Sequence, residues 1–280
     1  MKNKRFRARL AAAGILFLLT LGLIYAFFPF LWMVSSSVKS NNEIFVQPPQ
    51  LLPRVFTLAT YQGIFQDPGK LRFFINSYIV SFCATALTLV IAIFAAYGFS
   101  RYDFRLKKSL NVFIISTQGV PTMTLLIPYF GLVVSLGLYD SYWALILTYL
   151  VFTLPYAITM MTGYFNTLPR ELDEAVQIDG GTPVRCLWRI LVPISTPGII
   201  ATGIYTFLLC WNEYLFALTL TKSTEMRTVP VGIQLLMGEH TYEWNEMMAM
   251  SVLGSLPIVI IYLFAQKYFL AGLTSGAVKS

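Results

Sequence analysis

Six stretches of the chain run without Asp, Glu, Lys or Arg: residues 10–38, 73–100, 109–139, 141–169, 190–212 (continuing past Glu213 to Thr221) and 247–266. A helix of about 20 apolar residues crosses a bilayer. The pattern therefore predicts six membrane-spanning helices, at about 10–34, 75–99, 110–137, 141–165, 195–220 and 247–268. The third and fourth are separated only by a tight turn at Gly137–Ser141. Pro121, Pro128 and Pro155 fall inside or near the ends of spans, which a helix bundle tolerates where neighbours satisfy the freed carbonyls. The first run, about 25 residues long, exceeds a signal-peptide core and has no small-residue cleavage pattern close behind it, so it is expected to be a retained helix.

Charge then orients the spans. Only 12% of the 280 residues are charged, about half the soluble norm, which excludes a soluble, disordered or disulfide-framed protein. With both termini on one side, that side collects 14 of the 20 basic residues: Lys2, Lys4, Arg5, Arg7, Arg9, Arg101, Arg105, Lys107, Lys108, Arg170, Arg185, Arg189, Lys267 and Lys279. The other side holds Lys39, Arg54, Lys70, Arg72, Lys222 and Arg227. This bias is the positive-inside rule and predicts that both ends are cytoplasmic. It also explains the net charge of +7 without nucleic acid as a partner.

Three loops are long enough to carry a task. Residues 39–72 and 222–246 are expected outside, and residues 166–194 inside. In the inner loop, Thr167 and Pro169 read as a helix start. Glu171, Asp173 and Glu174 crowd its first turn, where the helix dipole favours acids. Leu172, Ala175 and Val176 form a narrow apolar face, and Gly180-Gly181 stop the helix. Thr182 and Pro183 start a second helix bearing Val184, Leu187, Trp188 and Leu191 on one face, closed by Pro193 and Pro197. The acidic start would be repelled by an anionic inner leaflet, so the first helix suits a protein groove better than a lipid surface.

Glu213 is the only charge within a span, where burial costs on the order of 2.5–3.5 kcal/mol. It extends a stripe at Thr202, Thr206 and Leu209, with Tyr205 and Asn212 alongside. Two readings stand: hydrogen-bonding groups lining a solute path, or a structural bond to a neighbouring helix. The path reading predicts that Glu213→Ala lowers transport more than assembly. Gly98, Arg101 and Arg105–Lys108 read as a solvated basic anchor, and Tyr129, Tyr149 and Tyr156 as packing aromatics. His240 with Glu239 and Glu243 is a weak basis for a metal site. Cys83, Cys186 and Cys210 have neither disulfide nor zinc spacing.

Several motifs resemble one family. Glu174-Ala175-Val176, Asp179-Gly180-Gly181 and Ile190-Leu191-Val192-Pro193 resemble the EAA loop of ABC importer permeases, with Val176 in place of the second Ala and Gly181 where Ala often follows the glycine. Pro29-Phe30-Leu31-Trp32-Met33 with Ser37-Val38-Lys39, and Trp211-Asn212-Glu213-Tyr214, resemble segments of the sugar-type permeases. Gln266-Lys267-Tyr268-Phe269 and Gly272-Leu273-Thr274-Ser275-Gly276-Ala277-Val278-Lys279 resemble the tail of the carbohydrate-uptake group. In its compact six-span form the chain is similar to the maltose-type second permease.

The resemblance implies an all-α membrane protein of the type I ABC importer fold, one transmembrane permease domain over residues 1–280 in a bacterial inner membrane. It implies ATPase coupling through Glu171, Glu174, Ala175, Asp179, Gly180 and Pro193, and a substrate path with Tyr205, Thr206, Asn212 and Glu213 as candidates. The implied partners are a second, different permease, two ATPase subunits that bind ATP and Mg, an external (periplasmic or extracellular) solute-binding protein, and membrane lipid. No cofactor and no catalysis are expected of this chain, which lacks a G-x-x-x-x-G-K-[ST] phosphate loop. The implied function is ATP-driven import of a di- or oligosaccharide or sugar derivative by alternating access. A polyol or other non-sugar solute is the alternative. An ion-coupled carrier would need more ionisable groups at membrane depth, and an intramembrane enzyme a catalytic cluster the sequence does not contain.

Overall fold

A computed structural model describes residues 2–238 and 242–277. In chain order the helices are α1 (Lys2–Ser37), α2 (Asn41–Ile44), α3 (Ala59–Gln66), α4 (Pro68–Arg101), α5 (Lys107–Thr117), α6 (Leu126–Ser135), α7 (Tyr142–Asn166), α8 (Glu171–Ile178), α9 (Pro183–Cys186), α10 (Val192–Ile194), α11 (Thr196–Trp211), α12 (Leu215–Leu220), α13 (Val229–Leu235) and α14 (Trp244–Ala277). A π-helical stretch, Leu187–Leu191, joins α9 to α10. Among the described residues four helices are long and apolar enough to span a membrane alone, and the number rises to six when each of two bent helix pairs is taken as one span. The chain divides into two compact units.

One unit comprises residues 1–67 and 233–255. Helix α1 exposes its side chains from Ala12 to Leu31, as a helix facing lipid or another subunit does, and becomes enclosed only over its last turns, where Ser36 and Ser37 are buried. The loop after it is tied down by polar contacts. The Ser37 and Tyr61 hydroxyls lie 2.7 Å apart, and buried Lys39 reaches the Gln50 carbonyl while sitting 5.3 Å over the Trp32 ring. Asn41 donates to the Tyr242 carbonyl (2.9 Å) and accepts from the Trp244 amide (3.0 Å), and Asn245 donates to Thr60 (3.1 Å).

The other unit comprises residues 68–232 and 256–280. Here α4, α7 and α11 pack together, and two apolar clusters fill the space between them and their attached segments. One gathers Val80, Ala84, Leu145, Tyr149, Phe216, Ala217 and Leu220; the other Ala92, Ile93, Ala96, Met161, Phe165, Leu187 and Leu191. The Thr88 and Thr153 hydroxyls join α4 to α7 at 2.8 Å. Close helix approach without a hydrophobic drive needs small residues. Gly198 supplies one, since a Cβ there would come within 2.5 Å of the Tyr164 ring.

Two expected spans are not continuous. The stretch 110–137 breaks after Thr117: Gly119-Val120-Pro121 end α5, because proline offers no amide and disfavours helix before it. A 3₁₀ turn at Thr122–Leu125 then leads into α6, with a 96° bend between the two halves. The stretch 195–220 stops at Trp211 and restarts at Leu215. Ahead of it, Pro193 lies within α10 instead of ending the second loop helix. The break comes at Ser195, with a 79° bend.

Candidate functional site

The loop between α7 and α11 builds its acidic helix by local signals. Helix α8 begins at Glu171, after Arg170. Thr167 does not cap it; its hydroxyl donates back to the Tyr164 carbonyl (2.7 Å) and closes α7. At the other end the Gly181 amide donates to the Val176 carbonyl (2.8 Å) and the Gly180 amide to the Gln177 carbonyl (3.0 Å). This is a Schellman termination, and Gly180 takes the left-handed conformation it requires (φ 72°). Thr182 then accepts from the Arg185 amide (3.3 Å), with Pro183 in the first turn of α9, as expected.

The orientation of α8 divides its acids. Glu171, Glu174, Ala175, Asp179 and Gly180 are exposed, as is Pro193 further along, and Ile178 is 86% exposed at the tip. Leu172 and Val176 pack against the second apolar cluster, whereas Ala175 turns outward instead of joining their face. Leu187 and Leu191 are buried, but Val184 and Trp188 are exposed, so the second predicted face also splits. A cavity of about 220 Å³ beside the end of α8 is lined by Val176, Asp179, Gly181, Arg185, Arg189 and Ile190.

Asp173 faces inward. Its carboxylate meets the Arg101 guanidinium at 2.8 Å, accepts from the Tyr97 hydroxyl at 3.1 Å and lies 3.5 Å from the Cys186 sulfur. Arg101 also donates to the Leu168 carbonyl (3.2 Å), and Arg170 to the Ser100 carbonyl (3.4 Å). Arg101 is therefore a buried ion-pair partner, with its side chain 6% exposed, and not the solvated anchor its neighbours suggested. Sequence reasoning missed this group. The available signal was spacing: Asp173 shares a helix face with Val176, three positions on.

On α11 and beyond, the predicted stripe separates. Thr202 and Thr206 are fully buried and donate to the carbonyls four residues back, Gly198 and Thr202, at 2.8 Å each. Tyr205 is 39% exposed and stacks on Tyr156 with ring centroids 3.9 Å apart. Asn212 is exposed and donates to the Leu208 carbonyl (2.9 Å). Glu213 accepts from the amides of Phe216 (2.9 Å) and Ala217 (3.0 Å) and from the hydroxyl of fully buried Tyr149 (2.9 Å). Its carboxylate thus caps α12 and ties it to α7. The structural alternative for Glu213 has an identified partner within the chain itself. Among the described residues no three His, Cys, Asp or Glu side chains gather as metal ligands, and Glu239 and His240 lie outside those residues.

Among the described residues the chain is an all-α bundle of apolar helices, two of them broken, with an acidic helix displayed on a loop between spans, and this is the type I fold of ABC importer permeases. Residues 88–275 match the family described as "Binding-protein-dependent transport system inner membrane component", and the chain belongs to it. It is 36% identical over 271 residues to the sulfoquinovosyl glycerol transport system permease protein SmoH of Agrobacterium fabrum, covering 97% of this chain and 93% of that one. It is also 36% identical over 260 residues to the trehalose/maltose transport system permease protein MalG of Thermococcus litoralis, covering 91% and 92%. A crystal structure of a bacterial ABC transporter that imports the acidic polysaccharide alginate matches its fold with a TM-score of 0.82 at 21% identity, over 93% of this chain and 97% of that one.

Proposed function

We propose that the chain forms one half of the translocation path of an ATP-driven importer for a carbohydrate, delivered from outside by a solute-binding protein. The observation that carries the reading is the display of α8. Three acids, a small residue and exposed Ile178 stand outward on a helix whose other face is locked into the bundle. That is the arrangement of a helix made to enter a partner's groove. In this reading Glu171, Glu174, Ala175, Asp179, Gly180 and Pro193 meet one of two ATPase subunits, which bind ATP and Mg, while this chain hydrolyses nothing. A second, different permease completes the path. Both termini face the cytoplasm, on the strength of the positive-inside bias.

For the solute, the relatives named for trehalose/maltose and sulfoquinovosyl glycerol support a sugar or sugar derivative. Tyr205, stacked on Tyr156, offers an aromatic face with a hydroxyl, and Asn212 an exposed amide; both suit sugar rings and hydroxyls. Thr206 and Glu213, whose polar groups are already engaged, would shape the path from behind. The test is to purify the tagged chain from its own membrane and identify what comes with it. An ATPase subunit and a second permease are expected, and recovery of the chain alone under conditions that preserve such complexes would overturn the reading. A thermal-shift screen of maltose, trehalose and sulfoquinovosyl glycerol on the cognate binding protein then assigns the solute.

A further inference from the structure

The chain connects α8 directly to α7, through residues 167–170, and to α11, through α9 and α10. It makes no such connection to α4, because the backbone leaves Arg101 toward α5. What joins α8 to α4 is one side-chain cluster. Arg101 and Tyr97, from the last two turns of α4, converge on Asp173 at 2.8 and 3.1 Å. The Cys186 thiol from α9 adds a contact at 3.5 Å, and the side chains of Arg101 and Asp173 are 6% and 12% exposed. A second arm of Arg101 holds the Leu168 carbonyl (3.2 Å), and Arg170 returns to the Ser100 carbonyl (3.4 Å), so the connection before α8 is fastened to the same helix end. A charge pair this enclosed is a poor way to gain stability compared with apolar packing. It is a good way to fix one element on another in a single geometry, since each partner is costly to leave alone. Glu171 and Glu174, one turn apart on the exposed face, already supply acids for docking.

We propose that Asp173 is a positioning residue that latches the ATPase-coupling helix to the Arg101 end of α4, so that displacement of α8 carries α4 with it as well as α7 and α11. The inference rests on reading α8 as the docking element. Its consequence is that three helices respond to the ATPase, two through the backbone and one through an ion pair. Because α4 packs on both α7 and α11 and is bonded to α7 through Thr88 and Thr153 (2.8 Å), the three would move as one wall.

The experiment measures distances by pulsed electron paramagnetic resonance in the assembled importer, purified through this chain with its partners. Spin labels sit at Gln177→Cys on α8 and Val90→Cys on α4, both exposed positions, in a Cys83→Ser background; Cys186 and Cys210 are buried. With the latch intact, the α8–α4 distance is expected to be the same without nucleotide and with ATP plus vanadate. In Asp173→Asn it should shift or broaden by on the order of 1–2 Å or more, the scale of helix shifts in switching transitions. The exchange Asp173→Arg with Arg101→Asp should restore the constant distance. Should Asp173→Asn fail to assemble, Arg101→Gln removes the same pair and serves in its place. A purely structural role would lower yield and leave the distance unaffected by nucleotide; that result overturns the latch. Ile178→Cys, made separately, tests the underlying reading, because α8 must cross-link to the ATPase subunit. Without cross-linking, the docking role falls and the latch with it; with cross-linking and an unchanged distance in Asp173→Asn, the latch alone falls.

Discussion

Two adjacent glycines end α8 for different physical reasons, and the difference can be measured. Gly180 is required by its backbone, at φ 72°. Gly181 is required by its surroundings: a Cβ there would lie 2.5 Å from Cγ1 of Val176 and 3.0 Å from the Val176 carbonyl oxygen. Val176 and Gly181 are the two positions at which this loop departs from the usual EAA pattern, so the departures read as one exchange of a large residue for a small one. Gly181→Ala alone should destabilise the permease by about 1–3 kcal/mol, the range for overpacking. Val176→Ala with Gly181→Ala should recover most of that loss, with a coupling of about 0.5–3 kcal/mol in a double-mutant cycle. Additive single effects in thermal unfolding would refute the exchange. Glu213 makes a second case at this scale. Removing it leaves the hydroxyl of fully buried Tyr149 without its acceptor, at about 1–3 kcal/mol, and uncaps α12. Glu213→Ala should therefore lower the yield of folded chain, with Glu213→Gln intermediate, while whatever assembles transports normally. Full yield with lost uptake would instead show that the Glu213 carboxylate itself meets the solute.

At the scale of elements, structure was legible where the signals were local and hidden where the partner lay far along the chain. The Gly180-Gly181 stop and the Thr182-Pro183 start could be read from neighbouring residues, because caps and turns depend on a few consecutive positions. The breaks at 118–125 and 212–214 are hidden in the pattern of charge-free stretches, because that pattern reflects side-chain polarity and not the path of the backbone. Gly119-Val120-Pro121 carried a usable signal for the first; at the second, Glu213 caps α12 through the Phe216 and Ala217 amides and is held by Tyr149 from another helix. Asp173 was indistinguishable by chemistry from Glu171 and Glu174, and only its Arg101 partner separates it from them.

Asp140 is a further residue whose partners lie far along the chain, and it stitches the turn before α7 to the chain leaving α12. Its carboxylate accepts from the Lys222 and Ser223 amides (2.8 and 3.1 Å) and the Ser223 hydroxyl (3.1 Å). Burial acts to raise its pKa, but these hydrogen bonds and the Lys222 charge outweigh burial and hold it below the ordinary carboxylate value. A lowered folded pKa means that the stabilisation is complete above the unfolded value near 4 and is lost as pH falls through the folded one. Asn tolerates the left-handed backbone at this position (φ 60°) and keeps an acceptor without the charge. The Tm gap between the native protein and Asp140→Asn should thus be widest at neutral pH and close as the carboxylate protonates. A gap that stays constant down to about pH 3 would refute the assignment.

For the whole molecule, the decisive quantity is which side of the membrane each loop occupies, because α8 can meet a cytoplasmic ATPase from only one. Fourteen of 20 basic residues fall on one side of the predicted topology. That bias sets orientation when it lies in short loops near the span ends, as Arg101, Arg105, Lys107 and Lys108 do. Three exposed positions in the larger unit test it: Asp103 after α4, Ile178 on α8 and Thr224 after α12. Each is replaced by Cys in the Cys83→Ser background and challenged in intact cells with a membrane-impermeant maleimide. Thr224→Cys should label in intact cells, whereas Asp103→Cys and Ile178→Cys should label only after permeabilisation. The pairing matters more than any single result. Asp103 and Ile178 must share a side, because Arg101 at the end of α4 is ion-paired to α8 within one compact unit. If both label from outside while Thr224→Cys is protected, the topology is inverted and α8 cannot dock on a cytoplasmic ATPase. If Asp103 and Ile178 label from opposite sides, the helix count between them is wrong, and with it the reading of the paired halves around Thr117–Leu126 as one bent span.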